Sequence, residues 1–328
     1  MAGVVLAAVL AAEVVAARRS ARPADLPRVS PAALIASSAR AIASGRPVSG
    51  SISATLDLGL PDVGDIGSLG VGGGLLPLLT GTHVLKVWRS AAGLRVSEIE
   101  PQGERALFVS RTRAWAWDFD TLSAVDLGRA PALVLPIGGA ASEAAARTVL
   151  ARIADTTRVS LNGTTTVAGR PAYRLVISPK QRGSLVGEVE LDIDGKTRFP
   201  LAVSAFARRA TQPAISIQFT SVSFGPIDPS LFRFSPPPGA SVRGGLKAGA
   251  SALGGLAGVQ GVRTFGRAWT TVFALRIRHL GIGGLAGAFL PFSGSLVSAD
   301  VADRGNHSWV VVGAVPATRL AAVERDLT

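Results

Sequence analysis

The residues of this chain that could act on a substrate are few and scattered. The three histidines, His83, His279 and His307, lie far apart, and none stands four residues from another as a helical zinc pair would. There is no cysteine, which removes disulfides, thiolate metal sites, a thiol nucleophile and a lipid-modified N-terminal cysteine. It leaves the redox compartment undecided. Glu188, Glu190, Asp192 and Asp194 invite an acid–base reading, because a glycosidase needs two facing carboxylates. They alternate with Gly187, Val189, Leu191 and Ile193, so the expectation is a solvated strand face instead. Asp192-x-Asp194-Gly195 opens like a calcium loop but lacks the later ligands, and reads as a turn. GVGGG at 70–74 is followed by no Gly-Lys-Ser/Thr, so it reads as a flexible loop. No Gly-x-Ser-x-Gly elbow, dinucleotide fingerprint or nucleic-acid motif occurs. The expectation is a protein that is not an enzyme and holds no metal or cofactor.

The bulk properties bound the chain to one large domain or two ordinary ones. Hydrophobic residues make up 48% of the 328, and mean hydropathy is +0.37, ample for a core. The net charge of +12 comes mostly from dispersed arginine; the only lysines are Lys86, Lys180, Lys196 and Lys247. Without a basic stripe, nucleic acid is not the expected partner; dispersed arginine in an Ala/Gly/Val-rich chain reads as base composition, with attraction to an anionic membrane surface as the alternative.

The elements that must position a binding surface follow in order. Residues 1–17 are apolar except Glu13 and precede Arg18, Arg19 and Arg22. Either they are the tail of a signal or anchor whose true start lies upstream, or they form an ordinary buried helix. The linker-like 21–27 favours the first. Ser30-Pro31 opens a helix with Leu34, Ile35 and Ile42 on one side and Gly45 at its end. A strand follows in which Ile52, Ala54, Leu56 and Leu58 alternate with Ser51, Ser53, Thr55 and Asp57. Strands at 81–90, 94–100, 104–110 and 113–120 form a meander, and on the last Trp115, Trp117 and Phe119 share a face. Those rings either pack a core or line an apolar cavity. The stretch 142–154 reads as an amphipathic helix with Ala146, Val149, Leu150 and Ile153 inward. Asn162-Gly163 marks a hairpin turn, which also explains the Asn162-Gly163-Thr164 sequon, and Asp194-Gly195 marks the next. Ile215, Ile217 and Phe219 alternate with Ser216, Gln218 and Thr220. A Gly/Ala-rich linker at 243–262 leads to an α+β appendage at 263–328. It holds strands at 269–278, 295–300 and 308–314, an apolar patch at 280–292, and a last helix with Leu320 and Val323.

One-sided strands beside amphipathic helices point to α+β with an antiparallel sheet. Two phrases carry a resemblance. VAGRPAYRLVISPK (167–180), followed by an acidic strand, a turn and Phe199-Pro200-Leu201, is one. FTSVSFGPIDPSLFRFSPPPGA (219–240) is the other. Together with the helix after Leu26-Pro27 and GTHVLKVW, they resemble the superfamily of LolA-like lipoprotein carriers and RseB/MucB-type regulators over 24–242. The resemblance implies an open half-barrel lidded by helices, with an apolar interior for acyl chains. It implies an exported protein of the cell envelope, either a lipid or lipoprotein carrier or a module that senses lipoproteins and controls an anti-sigma factor. The partners implied are a lipid or lipoprotein acyl chain and a membrane-bound protein, with membrane association through 1–17. Gram-negative carriers tie the lid with an arginine on an early strand; Arg89 and Arg95 both stand on early strands, and no motif fixes either. The expected cavity lining is Leu34, Ile35, Ile42, Ile52, Leu56, Leu58, Trp115, Trp117, Phe119, Val189, Leu191, Ile215, Ile217 and Phe219. The expected organisation is a leader at 1–23, the half-barrel at 24–242, the linker at 243–262 and the appendage at 263–328.

Overall fold

A computed structural model describes residues 26–59, 80–100, 103–128, 142–244, 259–278, 291–305 and 307–327. The expectations for 1–23, for the glycine loop at 70–74 and for most of the apolar patch at 280–292 lie outside the described residues.

Helix α1 (Pro31–Ala43) starts as its sequence dictates. The Ser30 hydroxyl accepts from the Ala33 amide at 3.1 Å, and proline fills the first turn, where its missing N–H costs nothing. The next six strands form a meander: β1 (Val48–Leu56), β2 (Gly81–Ser90), β3 (Gly93–Glu100), β4 (Gly103–Ser110), β5 (Ala114–Asp118) and β6 (Ser123–Gly128). Helix α2 (Glu143–Ile153) packs on α1 through Ala146 and Leu150 against Ala32 and Ala36. Val149, expected inward, is 43% exposed, because this two-helix contact is narrow and made of small residues. A second meander follows: β7 (Thr157–Val167), β8 (Arg170–Pro179), β9 (Val186–Asp194), β10 (Pro200–Ala207) and β11 (Pro213–Ser223).

Strand β11 returns to pair with β1, which fuses both meanders into one sheet. Among the described residues its order is β12-β6-β5-β4-β3-β2-β1-β11-β10-β9-β8-β7. Here β12 (Ser241–Gly244) lies parallel to β6, a departure from the expected all-antiparallel pattern. A one-turn helix at Pro229–Phe232 precedes it.

Asn162-Gly163 is not a hairpin turn. Strand β7 runs through it, with Leu161 opposite Leu175 and Thr164 opposite Tyr173, so one extra residue is accommodated as a bulge. Gly163 supplies the positive φ (+72°) that the bulge needs. The turn falls instead at Ala168-Gly169, where both φ angles are positive, 49° and 71°, as a two-residue hairpin loop requires.

The C-terminal unit is a second sheet, in the order β13-β14-β17-β16-β15, backed by helix α3 (Ala317–Arg325). Its strands are β13 (Val259–Phe265), β14 (Val272–Arg278), β15 (Phe292–Ser293), β16 (Ser298–Arg304) and β17 (His307–Gly313). Val272, Ala274, Trp309 and Val311 bury against Leu320, Val323 and Leu327. Strand β13 begins at Val259, so the tail of the expected linker is sheet. The unit is docked on the first sheet rather than hanging from it. Leu296 packs on Val186 and Ala214, the Leu185 amide donates to the Ala314 carbonyl at 2.8 Å, and the Trp269 indole donates to Thr157 at 2.8 Å.

Candidate functional site

Side chains directly opposite on paired strands share a face, so register sorts the large sheet into two surfaces. Leu34 of α1 is fully buried on Tyr173, Leu175 and Ile193, which identifies the helix-facing side. From β9 that side passes from Leu191 to Val203, Ile217 and Ala54. Along β1 it includes Ile52, opposite Leu85, and Gly50, opposite Val87. From Val87 it continues through Val96, Leu107, Ala116 and Val125. The result is an apolar surface across both meanders.

Of the expected lining residues, Leu34, Ile35 and Ile42 sit on α1, while Ile52, Leu56, Val189, Leu191, Ile215, Ile217 and Phe219 stand on the helix-facing side. Leu58 follows β1 and joins them at one end. Their environments differ. Phe219 (8% exposed) and Ile52 belong to a core with Val48, Leu201 and Phe199 at one end of the sheet. Leu58, Val189 and Ile215 belong to the cluster that also holds Leu296 and Trp269 of the C-terminal unit. Ile217, between these two cores, keeps 37% of its surface exposed.

Trp115, Trp117 and Phe119 are a correction: they stand on the opposite, outer side. Trp115 faces Phe108 and Trp117 faces Ala106, whereas the helix-facing residue of this strand is Ala116. Phe234, from the closing phrase, covers both indoles, with ring centroids 5.8 and 5.5 Å away, and stacks on Phe108 at 4.7 Å. Arg95 lies on the same side, between Trp88 (5.2 Å) and Phe108 (4.8 Å), and pairs with Glu104 at 2.6 Å. Phe119 lies past the end of β5 and is 47% exposed.

The early-strand arginine that reaches α1 is therefore Arg89. Its Nη2 donates to the Ile42 carbonyl at 2.5 Å, satisfying one of the carbonyls that a helix C-terminus leaves open and placing positive charge at the negative end of its dipole. Its guanidinium carbon lies 6.0 Å from the Phe199 ring centroid. Burial pushes the guanidinium below its ordinary value, and Nη1 is buried without a hydrogen-bond partner.

The acidic face of β9 is ion-paired rather than solvated. Arg174 holds Asp192 at 2.8 and 2.9 Å, and Arg170 holds Asp194 at 2.7 and 3.0 Å. Burial pushes the Asp194 carboxyl up, but hydrogen bonds from Arg170 and from Thr197 outweigh it and hold the group below its usual range. Burial raises Glu190, partly offset by Arg174. The apolar side carries Arg89 at one end and a polar cluster at the other. There His83 Nδ1 meets Glu98 at 2.7 Å, His83 Nε2 meets the Thr80 carbonyl at 2.7 Å, and Arg105 donates to Asp118 at 3.3 Å. Surface clefts of about 420 Å³ beneath Phe232 and 290 Å³ beside Trp309 lie away from the Ile217 surface.

Sequence reasoning overlooked the contributions of Leu85, Val87, Val96 and Leu107 to the apolar side. Alternation within LRVSEIE was visible, but only pairing shows which half points at the helices.

No family model and no curated protein matches the chain. Several solved structures are similar to it. One is the Pseudomonas aeruginosa MucA/MucB complex, at 14% identity and TM-score 0.47, covering 90% of this chain and 96% of that one. The Mycobacterium tuberculosis lipoprotein LppX shows 12% identity and TM-score 0.33, covering 60% and 97%. A LolA superfamily protein from Nitrosomonas europaea shows 9% identity and TM-score 0.25, covering 63% and 99%. MucB and the LolA superfamily are the kinds of protein that the two sequence phrases resemble. Among the described residues no helix is long and apolar enough to cross a membrane.

Proposed function

We propose that this chain is a non-enzymatic, extracytoplasmic lipid-binding protein that holds an acyl chain between the helix-facing side of the sheet and helices α1 and α2. The observation that carries the reading is Ile217. It is an apolar side chain in the middle of an apolar sheet face, flanked by Ala54 and Val203, yet 37% of its surface is left open. Alternation normally turns such a face into core; here helix α1 closes it at the β7–β9 end, through Leu34 on Tyr173, Leu175 and Ile193. A hydrocarbon completes the surface without any catalytic group, at about 0.8 kcal/mol for each methylene buried. The proposed lining is Ile35, Ile42, Ile52, Leu56, Leu58, Val189, Leu191, Ile215 and Ile217, with Leu85, Val87, Val96 and Leu107 added, while Leu34 and Phe219 are packed in the flanking cores. Helices α1 and α2 act as the lid, and Arg89 ties it down.

Delipidated protein is expected to take up a fluorescent fatty acid, and native mass spectrometry of protein from its own host to show co-purified lipid. A delipidated, folded protein that takes up no acyl probe rejects the reading.

A regulatory function has one observation of its own. The cluster of Leu58, Val189 and Ile215 with Leu296 and Trp269 joins the apolar surface to the C-terminal unit, so occupancy is felt there. In this reading the chain senses envelope lipoproteins and restrains an anti-sigma factor. Pull-down of a membrane-bound anti-sigma protein that acyl ligand releases distinguishes sensing from carriage.

A further inference from the structure

No aspartate or glutamate occurs between Asp228 and Asp300, a stretch that includes the whole β13–β14 hairpin. Its arginines have no counter-charge close in sequence, and the strand register brings two of them together. On the side of the C-terminal sheet that faces α3, Trp309 is opposite Arg276, and Arg276 is opposite Gly261. Arg263 is opposite Ala274, one diagonal step from Arg276, a separation of about 7–8 Å. Leu320, Val323 and Leu327 cover the apolar residues on this side, while Arg263 and Arg276 stay exposed. What remains is a cleft of about 290 Å³ bordered by Gln260, Gly261, Arg263, Arg276, His307 and Trp309. The Arg263 guanidinium carbon lies 5.3 Å from the Trp309 ring centroid, and His307 meets the same indole edge-on at 6.2 Å. Gly261 leaves room opposite Arg276, where a Cβ would meet nothing within 4 Å. Among the described residues neither guanidinium has a hydrogen bond or an ion pair. The five strands place one acid on this side, Asp300, and it stands on β16 opposite Val311, two strands from β14.

Like charges on neighbouring strand positions repel, and the walls of a cleft focus their field on its interior. The charge that answers two guanidiniums is about −2, and a phosphate monoester carries about −1.5 to −2 at neutral pH. Geometry points the same way. A planar carboxylate is filled by one guanidinium in a bidentate pair, whereas tetrahedral phosphate turns its oxygens in several directions and accepts from two forks at once. The Trp309 ring holds the Arg263 fork against its face, so one donor is oriented before a ligand arrives. The volume lies at the bottom of the range for small-molecule sites and suits a group of headgroup size. We propose that this cleft binds a phosphate group, held jointly by Arg263 and Arg276 beside Trp309 and His307. Free phosphate, a soluble phosphate monoester and a lipid headgroup share that chemistry, and the test separates them. The site is independent of what fills the surface around Ile217.

The test titrates inorganic phosphate into the full chain at constant ionic strength, with calorimetry and the five indole N–H signals as readouts. Saturable binding that moves chiefly the signal missing in Trp309→Phe is expected, with acetate at the same concentrations producing no such shift. The variant R263Q/R276Q, altered at two exposed positions, is expected to weaken phosphate at least about tenfold. Its melting temperature is expected to stay level or rise, because a repulsion is removed. G261V keeps both charges but fills the space opposite Arg276, and is expected to lose phosphate to a similar degree. Glycerol 3-phosphate and vesicles of equimolar phosphatidic acid and phosphatidylcholine then identify the source. Binding of the soluble anions without the vesicles assigns the cleft to soluble phosphates, and vesicle binding that glycerol 3-phosphate competes away assigns it to a headgroup. A shift that never saturates, equal phosphate affinity in parent and R263Q/R276Q, or acetate bound as tightly as phosphate overturns the proposal. Full affinity in G261V beside loss in R263Q/R276Q also overturns it, since diffuse charge is then enough. If G261V does not fold, the arginine pair and the acetate comparison decide alone.

Discussion

Replacing Ile217 by aspartate separates ligand binding from folding, because this side chain lies on the apolar side yet keeps 37% of its surface open. Fully burying an isoleucine contributes about 1.5–3 kcal/mol, so the open third offers an acyl chain roughly 1 kcal/mol of contact, or about fivefold in affinity. A carboxylate does more than delete that contact. Covered by hydrocarbon it must be desolvated, at several kcal/mol, so Ile217→Asp is expected to weaken acyl binding by more than about 100-fold. In the empty protein the same carboxylate reaches water, and the melting temperature is expected to fall by only a few degrees. Phe219, two residues along and 8% exposed, is the contrast: Phe219→Ala removes a core ring that meets Phe199 at 6.4 Å and is expected to cost about 3–5 kcal/mol of stability. The assay is displacement of a fluorescent fatty acid from delipidated protein, with thermal melts alongside. An Ile217→Asp protein that folds and binds the probe like the parent refutes the placement of the ligand.

Arg89→Met removes the tie to the Ile42 carbonyl, so hydrogen exchange at the end of α1 and the on-rate of an acyl probe are expected to rise on the order of tenfold. Trp117→Ala is expected to cost about 3–5 kcal/mol in denaturant melts while leaving probe affinity unchanged, because its indole packs under Phe234 on the outer side. Asp194→Asn is expected to cost about 3 kcal/mol at neutral pH, the low end for a broken buried pair because Arg170 is 29% exposed. Since the carboxyl is held below its usual range, its contribution is present above pH of about 4 and is lost as the pH falls through the lower folded value. The gap between parent and variant in melts from pH 7 to pH 3 should therefore close toward acid.

Period-two patterning made both faces of each strand legible, and capping made α1 legible, because those signals are local. Which face looks inward is not local. Trp115 and Trp117 share a face as their spacing says, but Phe234, more than a hundred residues later, decides that this face is the outer one. The closing phrase held a usable signal: Phe232 and Phe234 in a proline-rich tail need apolar partners, and the only tryptophans on adjacent register positions are Trp115 and Trp117. Asn162-Gly163 misled for a related reason. A bulge and a two-residue turn both need positive φ, and only the continued pairing of Thr164 with Tyr173 distinguishes them. The acids of β9 were also readable. Arg170 and Arg174 on the preceding strand keep the same period, and opposite charges on facing strands pair rather than stand in water.

The two ends of the apolar side are closed by different means, and the difference bears on what enters. At the Arg89 end the seal is the chain's own first unit: Phe219, Leu201 and Val48, with Phe199 beside the guanidinium. At the other end the seal for β9–β11 is borrowed from the C-terminal unit, whose Leu296 and Trp269 complete the cluster around Leu58, Val189 and Ile215. A borrowed seal opens when two units part, whereas an intrinsic one opens only with unfolding. Among the described residues, hydrogen bonds hold the units together from Leu185 to Ala314, Trp269 to Thr157, Gln181 to the turn at Arg267–Thr270, and Ser295 to the Leu58 and Asp57 carbonyls beside the Leu296 cluster. In the proposed binding role, the surface around Ile217 has two closures, the Arg89 tie on α1 and the packing of Leu296 and Trp269 on the first sheet, and the second is the one that involves the C-terminal unit.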